Sequence, residues 1–464
     1  MDMFAVYEKY KRAFEERSRF EPVWDDCRRY SQPGAADECV FDSTAANAVD
    51  NLASSLLAQL TPPWSRWFGL SSGSPEAAGA VAEAERVLQS HMERSNFYVE
   101  AHQCYLDLVT FGTAVMLFEE APVGWPSAFK FSAVPFEEVA LGSQDEVFRR
   151  TVLSRDIMRA KFPSLPLPEG KDSFTVVESS APRMTASGPQ GFGYMVFADV
   201  DGSPLLISEG VFGMSPFIVF RWMKMPSEVY GRSPMMKALP DVKTANKVVE
   251  LVLKNASMSV SGVWMADDDG VMNLDNITLS PGTIIPKAVG SSGLTPLRTG
   301  ADFNVSQLVL SELRSNIERC LLADRLSDFR GARMTATEVV ERSESVSRVL
   351  GATYGRLQSE FLTMVILRAV GILKRRGEIG PLFVNGREVD LKYQSPLAGA
   401  QAVRDAENVL GWIRAMGDLG GGALERVDRD AVAKYLSRVF GISGDFTADA
   451  ASPGAGSPST GPED

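Results

Sequence analysis

Cysteine and histidine are scarce in this sequence. Its 464 residues include four cysteines and two histidines, and no two cysteines form a CxxC pair. Scattered cysteines argue against a structural zinc site, and their low density argues against a disulfide framework. His91 and His102 lack the HExxH spacing of a zinc protease and have no second ligand at a suitable spacing. We therefore expect reduced, mostly buried cysteines, structural histidines, and neither a metal nor a cofactor.

Long apolar runs and an excess of positive charge are also missing. The longest apolar stretch, residues 108–118, is shorter than the roughly 18 residues that a helix needs to cross a bilayer. Residues 1–10 contain no apolar core of a signal peptide. The formal net charge is −12, which argues against a protein that grips nucleic acid with its whole surface. We expect a soluble chain that its own sequence does not anchor in a membrane.

Motifs for phosphate binding and covalent catalysis are absent from the sequence. It has no Walker motif and no GxSxG elbow, and the glycines at 188–193 neither follow an apolar strand nor open a helix. The acidic run 267–270 looks like a calcium loop, but Met265 stands where the first EF-hand ligand belongs, so an acidic turn is favoured. Such a chain is more typical of a structural or binding protein than of an enzyme. A hydrolase with catalytic groups far apart in sequence is one alternative.

The hydrophobic pattern predicts an α+β protein with helices at both ends and short strands between them. Apolar residues recur at the helical period in segment 43–60, where they predict one buried face: Ala45, Val49, Leu52, Leu56 and Leu60. Predicted helices span 1–32 with a break at Pro22, 43–60, 74–94, 98–111, 154–162, 240–260, 304–323, 335–376 and 396–440. Predicted strands span 114–119, 129–134, 147–153, 173–177, 194–200, 205–210, 217–222, 262–265 and 283–286, with a turn at 201–204.

The second half of the chain has a distinctive order of elements. Two amphipathic helices flank a short β-containing segment, and a polar loop at 324–334 follows them. Thr335 and Glu338 form a capping box that begins a long helix, which Gly377 ends. The apolar stripe of the helix at 240–260 consists of Val242, Ala245, Val249, Val252, Leu253, Ala256 and Val260. Residues 443–464 have the composition of a disordered tail.

Three long segments, in this order and with this layout, carry a family resemblance. They are DSTAANAVDNLASSLLAQLTPPWSRWF (42–68), VYGRSPMMKALPDVKTANKVVE (229–250) and RMTATEVVERSESVSRVLGATYGRLQSEFLTMVILRAVGIL (333–373). The chain resembles the portal proteins of short-tailed bacteriophages, also called head-to-tail connectors. The resemblance implies the phage portal fold, an α+β fold divided into a wing (1–236), a first stem helix (237–260), a clip (261–301), a second stem helix (302–323), a tunnel loop (324–334), a long helix with the wing/crown connection (335–395), a crown (396–442) and a disordered tail (443–464).

The resemblance also implies a function without enzymatic activity. It implies a homo-oligomeric ring, of twelve copies in relatives, at one vertex of the virion capsid, assembled in the host cytoplasm. Such a ring seeds head assembly with the major capsid and scaffolding proteins and docks the terminase motor. It conducts double-stranded DNA in and out and attaches tail or adaptor proteins, with no membrane partner. The alternative is a helical scaffold or adaptor protein of a viral particle that does not contact DNA.

The resemblance directs attention to a few basic residues. Arg325, Arg330 and Arg333 are the candidates for DNA contact in the tunnel loop, and Lys243, Lys247 and Lys254 are the candidates on the stem. The alternative for the arginines is that they are solvated or salt-bridged and do not contact DNA, and the alternative for the lysines is a solvated face of the stem. An acidic channel wall suits passage of DNA, because it repels phosphate.

Two apolar groups are candidates for contact between copies. Val248 and Leu251 form a second apolar margin on the first stem helix, where they supply a ring interface or widen the core face. Trp64, Trp67 and Phe68 form either an interface anchor or a buried cluster, and the buried cluster is favoured.

Overall fold

The structure is a computed structural model. It describes residues 2–34, 40–64, 66–71, 78–163, 165, 168, 170–185, 188–261, 264–265, 295–296, 303–323, 351, 353–380, 383–384, 387–388, 390–393, 396–418, 432–433 and 435–436. The helices are α1 (Met3–Ser18), α2 (Glu21–Ser31), α3 (Thr44–Leu60), α4 (Ala78–Arg94), α5 (Phe97–Phe111), α6 (Arg155–Lys161), α7 (Pro234–Ser261), α8 (Phe303–Cys320), α9 (Thr363–Arg376) and α10 (Pro396–Asp418).

The strands form two larger antiparallel sheets and three short pairs. The strands are β1 (Phe68–Ser71), β2 (Thr113–Glu120), β3 (Phe129–Ala133), β4 (Val139–Leu141), β5 (Val147–Ser154), β6 (Ser173–Thr185), β7 (Gly188–Val200), β8 (Ser203–Phe212), β9 (Phe217–Arg221), β10 (Trp264–Met265), β11 (Thr295–Pro296), β12 (Phe383–Val384), β13 (Arg387–Glu388) and β14 (Asp390–Tyr393). One sheet has the order β3-β2-β9 and the other β4-β5-β6-β7-β8; β1 pairs with β14, β10 with β11, and β12 with β13. The predicted α+β class is confirmed.

The first five helices follow the local signals closely. The five predicted stripe residues of α3 are all buried. Pro22 lies in the first turn of α2, as expected for a proline that ends one helix and starts the next. Helix α5 ends at Gly112, which has a φ of 80°; a Cβ there would lie 2.5 Å from the backbone nitrogen of Ser233. Only glycine satisfies both conditions. The predicted start of α4 at residues 74–76 lies outside the described residues.

The five-stranded sheet is larger than predicted. Strand β6 was expected to end at Val177 and β7 to begin at Tyr194, but the two strands pair from Thr185↔Gly188 to Thr175↔Asp199. The added residues lack a clear apolar alternation, so their extended conformation depends on pairing with each other. The tight turn between β7 and β8 is confirmed, with positive φ at Asp201 and Gly202. Strands β1, β4, β11, β12, β13 and β14 were not predicted.

Helices α7 and α8 form an antiparallel hairpin. Strand β10 directly follows α7 and pairs antiparallel with β11, which precedes α8, so the end of one helix lies near the start of the other. Pro240 was expected to begin the first helix, but α7 begins at Pro234 and contains Pro240. Ser233 caps this earlier start, because its Oγ accepts a hydrogen bond from the Met236 N–H at 2.8 Å. The predicted strand at 283–286 lies outside the described residues.

The long helix predicted at 335–376 is helical in its described part, residues 351 and 353–376. It contains one π-helical turn at Gln358–Leu362. It ends at Gly377 with a φ of 73°, as predicted. Three predicted features lie outside the described residues. They are the capping box, the tail and, apart from two short pieces, the second half of the predicted helical region at 396–440.

One aromatic cluster lies at the centre of the main core. Trp67 stacks on Phe97 with ring centroids 5.6 Å apart, and Phe361 of the π turn stacks on Phe220 at 4.1 Å. Trp67 and Phe68 are fully buried, which agrees with the buried-cluster interpretation for these two residues. Trp64 differs, because 74% of its surface is exposed. The π turn thus packs the long helix against helices from the first quarter of the chain.

Candidate functional surfaces

The α7–α8 hairpin is attached to the main core through its base. Val242 and Ala245 of α7 and Ile317 of α8 are buried in that core. The Asn246 side-chain oxygen accepts hydrogen bonds from the backbone N–H groups of Phe41 and Asp42, at 2.6 and 3.2 Å. These bonds tie α7 to the segment that leads into α3.

Asp42 links the same segment to α8. Its carboxylate accepts the Arg314 Nε–H at 2.9 Å and the Thr44 N–H at 2.9 Å, so it contacts the first residue of α3 and pairs with α8. Burial alone would raise the pKa of this carboxyl, but the hydrogen bonds from Thr44 and Arg314 outweigh that effect and lower it. The base of the hairpin is therefore held by a buried, ionised carboxylate.

The far half of the hairpin leaves the core. Leu251 and Leu253 of α7 are 54% and 51% exposed, and Leu308 and Val309 of α8 are 71% and 42% exposed. Leu253 was predicted to belong to the apolar stripe of the helix at 240–260, and in a single chain this position is open to solvent. The antiparallel order places the pair from α7 and the pair from α8 at similar heights on the hairpin. Leu251 and Leu253 are two positions apart and therefore lie on different sides of α7, so the exposed apolar surface extends around the far half of the hairpin. We call these four residues together the distal apolar patch.

The three stem lysines each lie within ion-pair distance of a carboxylate. Lys243 Nζ lies 2.5 Å from Asp26, which tethers α7 to α2. Lys247 and Lys254 both contact Glu250, at 2.9 and 2.5 Å. Hydrogen bonds from Lys254 and then Lys247 lower the pKa of Glu250 to about 2. All three lysine side chains stay at least 45% exposed in the single chain while they pair with these carboxylates. Arg325, Arg330, Arg333 and the acidic run at 267–270 lie outside the described residues.

A buried arginine that sequence reasoning missed connects α9 to both sheets. Arg368 is 5% exposed; its Nε donates to the Phe118 carbonyl of β2 and its Nη1 to the Met214 carbonyl after β8, both at 2.7 Å. Its guanidinium also lies over the rings of Phe118 and Phe212. Burial, with a smaller contribution from Arg375, lowers its pKa to about 10, so it stays charged at neutral pH. A single arginine within the apolar run MVILRAVGIL was the available signal.

His91 also has a structural role. Its Nδ1 accepts the Ala128 N–H at 3.0 Å, so the proton resides on Nε2, which donates to Glu378 at 2.6 Å. His102 contacts Ser54 at 3.4 Å. Within the described residues, no group of three or more His, Cys, Asp or Glu side chains is arranged to hold a metal ion.

Two of the described cysteines have buried thiols with a raised pKa, which makes them poor nucleophiles. Cys27 and Cys104 are buried and free, and burial raises the pKa of the Cys27 thiol to about 12. Cys320 is half-buried, and Cys39 lies outside the described residues. None of the helices searched in the described part of the chain is both long enough and apolar enough to cross a membrane.

Comparison with known families identifies the group to which these features belong. The sequence matches the family described as "Bacteriophage head to tail connecting protein" over residues 5–447. The chain belongs to this family. The connector resemblance found in the three sequence segments is thereby confirmed. Connectors are structural proteins, so the expectation that this chain is not an enzyme is confirmed as well. The chain is a virion component at the head–tail junction.

Three curated relatives of this connector are distant in sequence. The portal protein of Enterobacteria phage T3 is 22% identical over 77% of this chain and 73% of its own length. The portal protein of Escherichia phage T7 is 21% identical over 78% of this chain and 73% of its own length. A probable portal protein of Bordetella phage BPP-1 is 23% identical over 87% and 79%.

Similar solved structures come from gene transfer agent (GTA) particles. A chain of the virion of the native GTA particle aligns with a TM-score of 0.43 and 12% identity, covering 86% of this connector and 91% of that chain. A chain from the neck of the native particle, computed with C12 symmetry, aligns with a TM-score of 0.40 and 13% identity, covering 85% and 90%.

Proposed function

We propose that this connector is the portal: a ring of copies at one capsid vertex through which double-stranded DNA enters and leaves. The distal apolar patch carries the proposal. Four large apolar side chains are exposed around the far half of one hairpin in the single chain, and such a concentration of exposed apolar side chains indicates an interaction surface. A ring needs a heterologous contact that closes by rotation, and the hairpin offers one helix to each neighbour.

Twelve copies is the ring size implied by the family resemblance. In this proposal residues 237–260 and 302–323 form the stem, and residues 261–301 form the clip, which includes the β10–β11 pair. The first 236 residues form the wing. The antiparallel hairpin with a short β pair at its end supports this assignment. The ring would seed the head with capsid and scaffolding proteins, receive the terminase, and later hold the tail proteins.

The purified chain is expected to form rings with a central hole, visible by negative-stain electron microscopy. The hole separates a portal from the alternative scaffold or adaptor, which would assemble without an axial channel. A chain that remains monomeric at high concentration in all salt conditions would contradict the proposal. Mass photometry of the same sample counts the copies.

DNA contact is proposed for a few cations within an otherwise acidic molecule. We assign it first to Arg325, Arg330 and Arg333 of the tunnel loop, and second to Lys243, Lys247 and Lys254 of the stem. Lys247 and Lys254 share the single carboxylate of Glu250. This part of α7 therefore keeps a net positive charge despite its ion pairs. The net charge of −12 keeps binding weak elsewhere, which suits a duplex that must slide.

Arg330→Ala combined with Arg333→Ala is expected to leave rings intact and to alter DNA packaging or retention. The reason is that the substitutions remove two cations per copy from the tunnel loop while leaving the hairpin unchanged. Packaged DNA length and ejection can be measured in assembled particles. Arg319→Ala, at an exposed position of α8, is the matched control. Packaging equal to that of the control would remove the loop-contact assignment.

A further inference from the structure

The loop between β2 and β3 presents two large apolar side chains to solvent. Val123 is 95% exposed and Trp125 is 54% exposed. Prolines at 122 and 126 flank them, and Gly124 adopts a φ of 97°. Exposed tryptophan is uncommon on a protein surface, and tryptophan is among the side chains that contribute most to interfaces. We call residues 122–126 the apolar tip.

The apolar tip is held in one conformation from its base. The Ala121 N–H donates to the Ala128 carbonyl at 2.9 Å, and the Trp125 N–H to the Pro122 carbonyl at 3.3 Å. The Ser127 hydroxyl donates to the His91 carbonyl at 2.8 Å, and the His91 imidazole accepts the Ala128 N–H. A loop ordered before binding loses little entropy when it docks.

A cavity of about 450 Å³ lies elsewhere on the same chain. Its lining includes the apolar side chains of Phe217, Val219 and Met364, and also Ser359 of the π turn. Five charged residues line it as well, of which Glu146 pairs with Lys9 and Glu360 pairs with Arg221: Asp145, Glu146, Arg221, Lys224 and Glu360. Strand β9 pairs only with β2 among the described strands, so its other edge borders the cavity. Met364 is 39% exposed, and the cavity is therefore accessible to an apolar group from outside.

Tip and cavity are separate surfaces at opposite ends of α9. The Arg376 Nη1 at the end of this helix donates to the Ala121 carbonyl at the base of the tip. Met364 at the start of the helix lines the cavity. Twelve residues of helix separate them by roughly 18 Å. One copy therefore cannot fill its own cavity with its own rigid tip, but it can present both surfaces to neighbours.

We propose that the apolar tip of one copy inserts Trp125 and Val123 into the cavity of the adjacent copy in the ring. The inference rests on the proposed ring. Two side chains bury a few hundred Å² at most, well below the roughly 1,200 Å² that a stable interface needs. The tip therefore suits a partner that is already held alongside, and a ring neighbour is held there by the α7–α8 hairpin. A heterologous contact also requires two different complementary surfaces, which the tip and cavity supply.

A cysteine pair tests this contact directly. Val123→Cys with Ser359→Cys is expected to give, on mild oxidation of the assembled ring, a ladder of covalent oligomers on non-reducing gels. Cys39 and Cys320 are replaced by serine in every variant, and Cys27 and Cys104 are buried and should not contribute. Val99→Cys with Ser359→Cys is the matched control, because Val99 is 68% exposed but lies on α5. Each single variant should remain uncrosslinked.

A second pair of variants measures the contribution of the contact. Trp125→Ser and Met364→Arg should each raise the concentration at which rings half-dissociate by about tenfold or more, as expected for loss of a buried interface anchor. Val99→Ser should leave it unchanged. Rings without the ladder would overturn the tip contact but not the portal function, whereas absence of rings in the unmodified chain would overturn both. If the Val123→Cys variant crosslinked to a capsid or tail protein in particles, instead of to a ring neighbour, the proposed contact would also be wrong.

Discussion

Leu251→Asp combined with Leu308→Asp is expected to give a folded chain that no longer forms rings. The two leucines are 54% and 71% exposed in the single chain, so aspartate at either position can be solvated there. In a ring the exposed part of each side chain would be buried, so each lost leucine removes about 1–2 kcal/mol of burial. Burying an unpaired carboxylate costs more still. We expect the dissociation constant of each subunit contact to rise by about a hundredfold or more.

Mass photometry and negative-stain images check this result, and circular dichroism with thermal unfolding checks that the variant folds. Val99→Asp, at an exposed helical position away from the hairpin, is the control and should still form rings. If the double variant formed rings as readily as this control, the distal apolar patch would not be the subunit interface. Rings that form only at much higher protein concentration would show that the distal apolar patch is one part of the subunit interface and that other contacts contribute to it.

Arg368→Ala is expected to reduce the free energy of unfolding by about 2–4 kcal/mol. The substitution leaves the carbonyls of Phe118 and Met214 without their charged donors, and it removes the planar group packed on Phe118 and Phe212. Part of this loss is offset, because folding no longer has to desolvate a cation; the lowered pKa of Arg368 reflects that desolvation. The remaining loss of stability should be large, because the two hydrogen bonds connect α9 to two separate parts of the chain.

Urea unfolding followed by circular dichroism measures this change. Arg375→Ala on the same helix is the matched control: that side chain is 53% exposed and pairs with Glu120 at 3.2 Å, so its loss should cost less than about 1 kcal/mol. Arg368→Lys keeps the charge but lacks the planar fork that reaches two carbonyls, and it should fall between the two. Equal stability of Arg368→Ala and Arg375→Ala would show that the buried arginine does not join α9 to the sheets.

The sequence predicted the bounds of an element closely where the element has one buried face or ends at a glycine. Helix α3 was predicted to within one residue, because its five apolar side chains recur at the helical period. Helix α9 ends at the predicted Gly377, since a left-handed residue there is a property of the local chain. Strands β6 and β7 were too short in the prediction, because half of their hairpin is stabilised by pairing with each other and not by side-chain pattern.

For the candidate site residues too, the sequence predicted some features and the tertiary structure was needed for others. The lysines of the stem were identified by charge and position, but the partner of Lys243 is Asp26, which lies 217 residues earlier in the sequence. Spacing along α7 could suggest the shared Glu250, and only the packing of α2 against α7 could reveal Asp26. Leu253 stands in the same apolar stripe as Val242, yet one is half-exposed and the other is buried. A stripe predicts a face that avoids water, and it does not say whether the same chain or another copy covers that face.

The sequence by itself determined the α+β class, the connector family and the absence of enzymatic motifs, because these depend on composition, period and long ordered segments. The tertiary structure decided which apolar residues remain open at the end of the α7–α8 hairpin and on the apolar tip. It also decided that Arg368 is buried and that Asp42 joins α3 to α8. The physical reason is that burial and pairing depend on distances between segments far apart in the chain, and no local pattern of residues records those distances.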